Sequence, residues 1–176
     1  MSNRKRAARP NLFLSIFCGG TELALRILRL HEAVSSGPLA RLPSVAPPIC
    51  GAIDYRGDAL PVVDLAAKLH LSAHRTMEEC WVIVVDVSIE GERMLLGVLA
   101  EAVGGAYELD RDQIGAPTED SAIPPLCLLG IGEIGSRLVP LVDIGRIISV
   151  RELEIASAIG DQEIRARVPL DLKAIH

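Results

Sequence analysis

Metal or acid–base chemistry would have to come from four histidines, four cysteines and 23 acidic residues, and the spacing of each set argues against it. His70 and His74 stand four apart, the interval that puts two imidazoles on one helix face, as in a zinc site. The residues around His74, Ser72-Ala73-His74-Arg75-Thr76, read as a loop, no glutamate lies between the pair and no third ligand is near. Cys18, Cys50, Cys80 and Cys127 are far apart, with no C-x-x-C, and three of them adjoin apolar strand-like stretches. They read as small buried hydrophobes. The closely spaced acids, Glu78-Glu79, Asp110 with Asp112, and Glu119-Asp120, fall in loop-like segments and read as solvated charge rather than a carboxylate pair in a cleft. No metal and no enzymatic activity are expected.

Gly130-Ile131-Gly132-Glu133-Ile134-Gly135 has the spacing of a dinucleotide-binding G-x-G-x-x-G. That chemistry needs a helix after the glycines, so that the helix N-terminus meets the pyrophosphate. Here SRLVPLVDI follows, strand-like and interrupted by Pro140, and no helix starts there. A tight hairpin around Ile134-Gly135-Ser136 explains the glycines, and no cofactor is expected. One cation remains of interest. Arg56 lies in GAIDYRGDALPVVDL, in a turn next to Gly57, between two strand-like segments. A guanidinium offers five donors in a planar fork and stays charged, so such an arginine can brace loop carbonyls and pair with a carboxylate such as Glu32.

With 49% hydrophobic residues over 176 positions, the chain can bury a core for one domain or two small interlocked subdomains. Its five aromatic residues, Phe13, Phe17, Tyr55, Trp81 and Tyr107, leave that core to aliphatic side chains and offer no row of stacking platforms for single-stranded nucleic acid. The formal charge of −5 lacks the footprint of a phosphate-backbone binder, so nucleic acid is not an expected partner. NRKRAARP followed by LFLSIFC has the outline of a signal peptide, but the apolar run is short and ends in Phe-Cys-Gly-Gly where cleavage needs small residues. Residues 1–11 therefore read as a solvated basic tail. No run approaches the roughly 18 apolar residues of a membrane span, and no membrane insertion is expected.

The elements that must position Arg56 come next. Leu12–Cys18 alternates and reads as a strand, Gly19-Gly20-Thr21 as a turn and Glu22–Ile27 as the return strand. Leu28–Val34 reads as a helical turn. Ser35–Pro48, with Pro38, Pro43, Pro47 and Pro48, reads as an ordered loop or edge. Trp81–Val87 and Met94–Leu99 form a second hairpin, Glu101–Tyr107 is ambiguous, Pro117–Pro125 is a loop and Arg137–Val142 closes the sheet. Sliding the sequence by 79 positions lays GAIDYRGDALPVVDL over GIGEIGSRLVPLVDI, with Gly51 on Gly130, Pro61 on Pro140 and Asp64 on Asp143. Both copies run glycine, turn, strand, aspartate, helical piece, with Asp64 and Asp143 as N-caps, so the chain is built from two related halves.

LFLSIF, GTELALRILRLHE, ARLPSVAPPICGAIDYRGDALPVVDL, MLLGVLAEAV and GIGEIGSRLVPLVDIGRII, in this order, resemble the CheW family of bacterial chemotaxis coupling proteins. The likeness runs from about Leu12 to Ile148 and is most specific from Arg41 to Leu65, where the family has a proline-rich loop, an Asn-Leu-Arg-Gly turn and Pro-Val-Val-Asp-Leu. It implies a mainly β fold of two intertwined five-stranded, SH3-like β-barrel subdomains with short helices and a C-terminal helical extension. The implied boundaries are 12–149 for the domain, with subdomain one about 12–71, a linker about 72–79 and subdomain two about 80–149, and 150–176 for the extension. It implies a non-enzymatic cytoplasmic adaptor that binds the regulatory domain of a CheA-type histidine kinase and the cytoplasmic tip of methyl-accepting chemoreceptors at membrane-associated arrays. Leu30, Glu32, Arg56 and Val98 match positions near the receptor groove, while Gly51, Gly57, Asp64 and Asp143 serve as turn and cap residues.

The sequence departs from the family at Asp54-Tyr55-Arg56-Gly57, where the turn pattern is Asn-Leu-Arg-Gly, and at Ala33, where a larger aliphatic residue is usual. These departures leave open an array other than that of flagellar swimming, such as a surface-sensing or second-messenger pathway. A small-ligand sensor is the remaining alternative, should the subdomains enclose a pocket. In the tail, Glu152–Arg167 carries Ile155, Ile159 and Ala166 at near-helical spacing, weakened at Gly160 and stopped by Pro169, and is expected to pack back on the domain.

Overall fold

The structure, a computed structural model, describes residues 11–37, 39–42, 45, 47–72, 79–118 and 123–166. The readings made for the basic tail, for His74, Glu78 and Glu119-Asp120, for most of the linker, for Pro38 and Pro43 and for the chain after Ala166 lie outside those residues. Twelve strands form two sheets among the described residues. The first half supplies β1 (Asn11–Cys18), β2 (Thr21–Ile27), β3 (Arg29–Ser35), β4 (Ala40–Arg41), β5 (Ile49–Tyr55) and β6 (Asp58–Val63). The second supplies β7 (Trp81–Ile89), β8 (Glu92–Ala100), β9 (Ala102–Leu109), β10 (Ile114–Gly115), β11 (Leu128–Ile134) and β12 (Arg137–Val142). The described residues also form the α-helices α1 (Leu65–Lys68) and α2 (Val150–Ala166) and the 3-10 turns Arg111–Gln113, Pro125–Cys127 and Ile144–Arg146.

The halves exchange their first hairpins. One sheet has the order β3-β7-β8-β6-β5-β4 and uses only the middle of the chain; the other, β10-β11-β12-β2-β1-β9, joins its two ends. We call them the central and the terminal sheet. Each is closed by one short parallel contact: Val62 and Val63 against Gly97 and Val98 in the central sheet, Leu141 and Val142 against Ala24 and Leu25 in the terminal sheet. The sheets curl into the two intertwined barrel-like subdomains expected from the sequence. Each has six strands rather than five, the sixth being the two-residue edge strand β4 or β10. One core joins them: Leu14, Ile16, Leu23 and Leu25 of the terminal sheet pack in the same cluster as Ile83, Val85, Leu96 and Val98 of the central sheet. Each such fully buried side chain contributes roughly 1.5–3 kcal/mol of hydrophobic stabilisation, so the exchange is held by burial.

The internal repeat is a repeat of structure. β5 with β6 and β11 with β12 begin and end 79 residues apart, and both hairpins carry an irregularity in register at the same place, between Ile49 and Gly51 and between Leu128 and Gly130. Gly51 and Gly130 let the short edge strand approach: a Cβ on either would stand 2.4 Å from a backbone carbonyl oxygen, of Ala40 or of Gly115. The glycines of the G-x-G-x-x-G thus lie in β11 and in its turn to β12, as the missing helix predicted. After each hairpin an aspartate accepts from the backbone two residues on, Asp64 from the Ala66 N–H at 3.0 Å and Asp143 from the Gly145 N–H at 3.1 Å.

Two local readings are corrected. Residues 28–34 are not a helical turn; they lead into β3, an edge strand paired with β7 alone. The register shifts between Leu30 and Glu32, which breaks the alternation by which a strand is recognised, and most of β3 is exposed. The ambiguous Glu101–Tyr107 lies largely in β9, whose polar and small residues alternate between exposed and half-buried positions. Helix α2 starts at a capping box: Ser149 Oγ accepts from the Glu152 N–H at 3.1 Å, and Glu152 Oε1 accepts from the Ser149 N–H at 3.3 Å. It packs on the β5–β6 hairpin through Leu153, Ala156 and Gly160, with Ile159 and Ile164 against Leu42, Ala52 and Ala59. Ile155, read as part of that face, is 48% exposed.

Candidate partner-binding site

The irregularity in β3 leaves His31 without a partner in β7, since Leu30 faces Val85 and Glu32 faces Val84. A bulge re-aims a side chain, and here the imidazole turns to Asp86, with Nε2 at 2.9 Å from Oδ2. Arg93 of β8 donates to the same carboxylate oxygen. Asp86 sits in the apolar run of β7, where burial alone would raise its pKa; the hydrogen bonds from Arg93 and His31 outweigh burial and hold it below the usual carboxylate range. This buried carboxylate ties the edge strand β3 to the two strands behind it.

Beside β3 stands the tip of the β5–β6 hairpin. Its two-residue loop, Arg56-Gly57, has φ of +55° and +91°, the left-handed pair of a type I′ turn. Asparagine or glycine fits the first position without strain, whereas an arginine there costs roughly 1–2 kcal/mol. The Asp54 carboxylate fixes the turn by accepting from the Gly57 N–H at 3.0 Å. Arg56 reaches Glu32 across the gap to β3, Nη2 to Oε1 at 3.9 Å, with the two side chains 74% and 45% exposed. An ion pair so open to water is worth about 0–1 kcal/mol, which makes its stabilising role small and its donors available. Leu30 is 39% exposed on the same strand, and Leu28 and Leu95 are also exposed.

A cavity of about 190 Å³ opens beside the turn, with His31, Tyr55, Arg56, Asp58, Leu60 and Leu95 among its lining residues. It has lining residues from both β6 and β8, short of their parallel contact. Counted back from the parallel contacts, Asp58 and Leu95 stand where the terminal sheet has Arg137 and Glu22. There the gap is bridged, Arg137 Nε and Nη2 donating to the two Glu22 oxygens at 3.0 and 3.2 Å. In the central sheet the corresponding place is a leucine facing an aspartate, and a cavity remains.

The structure therefore brings together Glu32 and Arg56, places Leu30 on the same strand as Glu32, and sets Gly57 in the turn. It separates Val98, which is 1% exposed in the shared core and whose side chain cannot meet a partner; its β-branched run has the same pattern whichever side is covered. Gly51 lies at the far end of β5, against β4. Sequence reasoning missed His31, Asp86 and Tyr55. A signal was present for Asp86: a carboxylate inside WVIVVDVSI must find donors if the run is a buried strand. Among the described residues no group of three or more His, Cys, Asp and Glu side chains is placed to hold a metal ion, and no helix is long and apolar enough to cross a membrane.

A family model described as the CheW-like domain matches residues 12–152, most of the chain and the whole of both sheets from Leu12 on. The chain belongs to the CheW family. A chemotaxis protein CheW of Klebsiella aerogenes is 27% identical over 149 residues, covering 84% of this chain and 87% of that protein. A probable chemotaxis protein CheW of Rhizobium etli is 28% identical over 140 residues, covering 78% and 87%. Among solved structures, the scaffolding protein TtCheW of Thermoanaerobacter tengcongensis superposes with a TM-score of 0.61 at 22% identity, covering 76% of this chain and 88% of that one, and shares the fold. The CheW family match takes in the first three residues of α2, so most of the helix that packs on the β5–β6 hairpin lies beyond it.

Proposed function

We propose that this CheW-family chain is a non-enzymatic adaptor of a chemotaxis-type signalling array, which binds the regulatory domain of a CheA-type histidine kinase and the cytoplasmic tip of a methyl-accepting chemoreceptor. In this reading it works in the cytoplasm, at membrane-associated arrays reached through its partners, and residues 12–149 form the coupling domain. Leu30, Glu32 and Arg56 lie on the receptor side. The observation that carries the reading is Arg56: a fully charged side chain kept in a left-handed turn, largely exposed and held toward Glu32 beside an exposed leucine. The hairpin needs the left-handed conformation, as Glu90 shows in the β7–β8 turn; what sets Arg56 apart is an exposed guanidinium held toward Glu32, with donors free for something outside the fold. The relatives named above as chemotaxis proteins support the same reading.

The test is binding of the full chain to a purified receptor cytoplasmic fragment and, separately, to a purified kinase regulatory fragment. Arg56→Ala is expected to weaken receptor binding by on the order of 1.5–3 kcal/mol, the worth of a charge-assisted hydrogen bond, and kinase binding by less. Arg56→Lys should restore part of the loss, since an ammonium lacks the planar fork. Wild-type chain that binds neither fragment, or that hydrolyses ATP stoichiometrically, would reject the proposal.

A further inference from the structure

Tyr55 lies under one member of the ion pair at the turn and has its hydroxyl toward the other. The guanidinium carbon of Arg56 lies over its ring, 5.0 Å from the centroid, a cation on an aromatic face. At the other end, the phenol oxygen is buried and makes no well-formed hydrogen bond among the described residues. It faces the Glu32 carboxylate, whose interaction, ahead of burial, raises the phenol above its ordinary pKa. Two long side chains 3.9 Å apart and open to water do not hold one arrangement by themselves. A rigid ring under the guanidinium can do so, because it has only two torsions and packs in the core with Ile53, Leu60 and Val62.

We infer that Tyr55 is a positioning residue of the partner surface: its ring carries Arg56 and its hydroxyl is turned toward Glu32, so that the guanidinium is preset for one class of partner. The inference rests on the receptor-side reading above. A guanidinium stacked on a ring keeps its in-plane N–H donors, so the preset surface selects a segment that offers a carboxylate or carboxamide oxygen to Arg56. The family's usual leucine at this turn position has neither a face for the cation nor a hydroxyl for the carboxylate.

The experiment compares the full chain with Tyr55→Leu and Tyr55→Phe for binding to a receptor cytoplasmic fragment and to a kinase regulatory fragment, alongside melting temperature. Tyr55→Leu should weaken receptor binding about fivefold to tenfold, and Tyr55→Phe, which keeps the ring, about twofold to threefold. Kinase binding should stay within about twofold in both. A spectroscopic arm needs no partner: in a Tyr107→Phe background, phenolate absorbance reports Tyr55 alone, and Glu32→Gln should move its ionisation to lower pH. Receptor binding by Tyr55→Leu equal to wild type overturns the inference, as does equal loss of both partners with a lower melting temperature, or a phenol titration indifferent to Glu32→Gln. Wild-type chain that shows the phenol shift but binds no receptor fragment instead rejects the receptor-side reading, and the inference falls with it.

Discussion

Asp86 is only 6% exposed, and its two donors decide how the chain responds to acid. Its pKa in the folded state is below the ordinary carboxylate value, so the unfolded chain binds the proton first. The stability it contributes is therefore complete above the unfolded pKa of about 3.9 and is lost as the pH falls through the depressed folded value. Asp86→Asn should cost on the order of 1.5–3 kcal/mol at neutral pH and flatten the acid limb of urea midpoints followed downward from about pH 5. The flattening should be partial, because Glu22, hydrogen-bonded by Arg137 and Ser15, is depressed in the same direction. A variant with an unchanged acid limb would show that its two donors do not depress Asp86. The cysteines carry a second prediction at this scale. Burial pushes Cys50 up to about 12 and raises Cys18 and Cys80, with the Asp64 charge adding to each. In a Cys127→Ser chain these three thiols should react with Ellman's reagent only as fast as the protein opens, and promptly in guanidinium; a fast native thiol would contradict the burial.

At the scale of elements, helix α2 shows why a residue's meaning depends on its neighbour. Gly160 reads from sequence as a weak point in the helix, but a Cβ there would stand 2.9 Å from Ala52 Cβ and 3.1 Å from Ala59 Cβ, atoms that cannot swing away. Helix propensity favours Gly160→Ala by about 1 kcal/mol, and the forced separation of helix and hairpin costs about 1–3 kcal/mol, so the variant should melt lower. Ala158 is exposed on the same helix, so Ala158→Gly measures the propensity alone and should cost about 1 kcal/mol. A stabilised Gly160→Ala would mean that α2 is not seated on β5 and β6. The caps are simpler: Asp64→Ala or Asp143→Ala should each cost about 0.5–2 kcal/mol in urea unfolding while leaving partner binding of the folded fraction unchanged. The hairpins and caps were legible because their signals are local: an alternating run, a glycine, a proline, an aspartate before a helical piece. β3 was not, because its bulge and exposure erase the alternation, and the His31–Asp86 contact joins residues 55 apart in the chain. Of the candidate site, Arg56 and Glu32 were visible through a family pattern, whereas Tyr55 looked like a substitution without a role until its ring and hydroxyl were placed.

For the whole molecule, the 79-residue repeat was visible in one hairpin, but the exchange of β1–β2 for β7–β8 left no mark in either half. Leu14 and Val85 are each apolar positions in an apolar strand, and nothing local says which sheet will receive them. The two hairpins differ in shape where they meet the rest of the chain. Gly97 faces Val62, and a Cβ on it would lie 3.2 Å from Val62 Cγ2; the corresponding position in β2 holds Ala24. A half that closed on its own first hairpin would leave its share of the common core in water. Fragments 1–79 and 80–176 should therefore each be largely unfolded alone, by far-UV circular dichroism, and should regain the β spectrum when mixed, with a midpoint that rises with concentration. The intact chain should unfold in one step, with Trp81 fluorescence, which reports the central sheet, coinciding with circular dichroism, which reports both. Separate midpoints for the two signals, or a fragment that folds cooperatively by itself, would mean that the sheets are independent units and that the exchanged hairpins do not bind them into one.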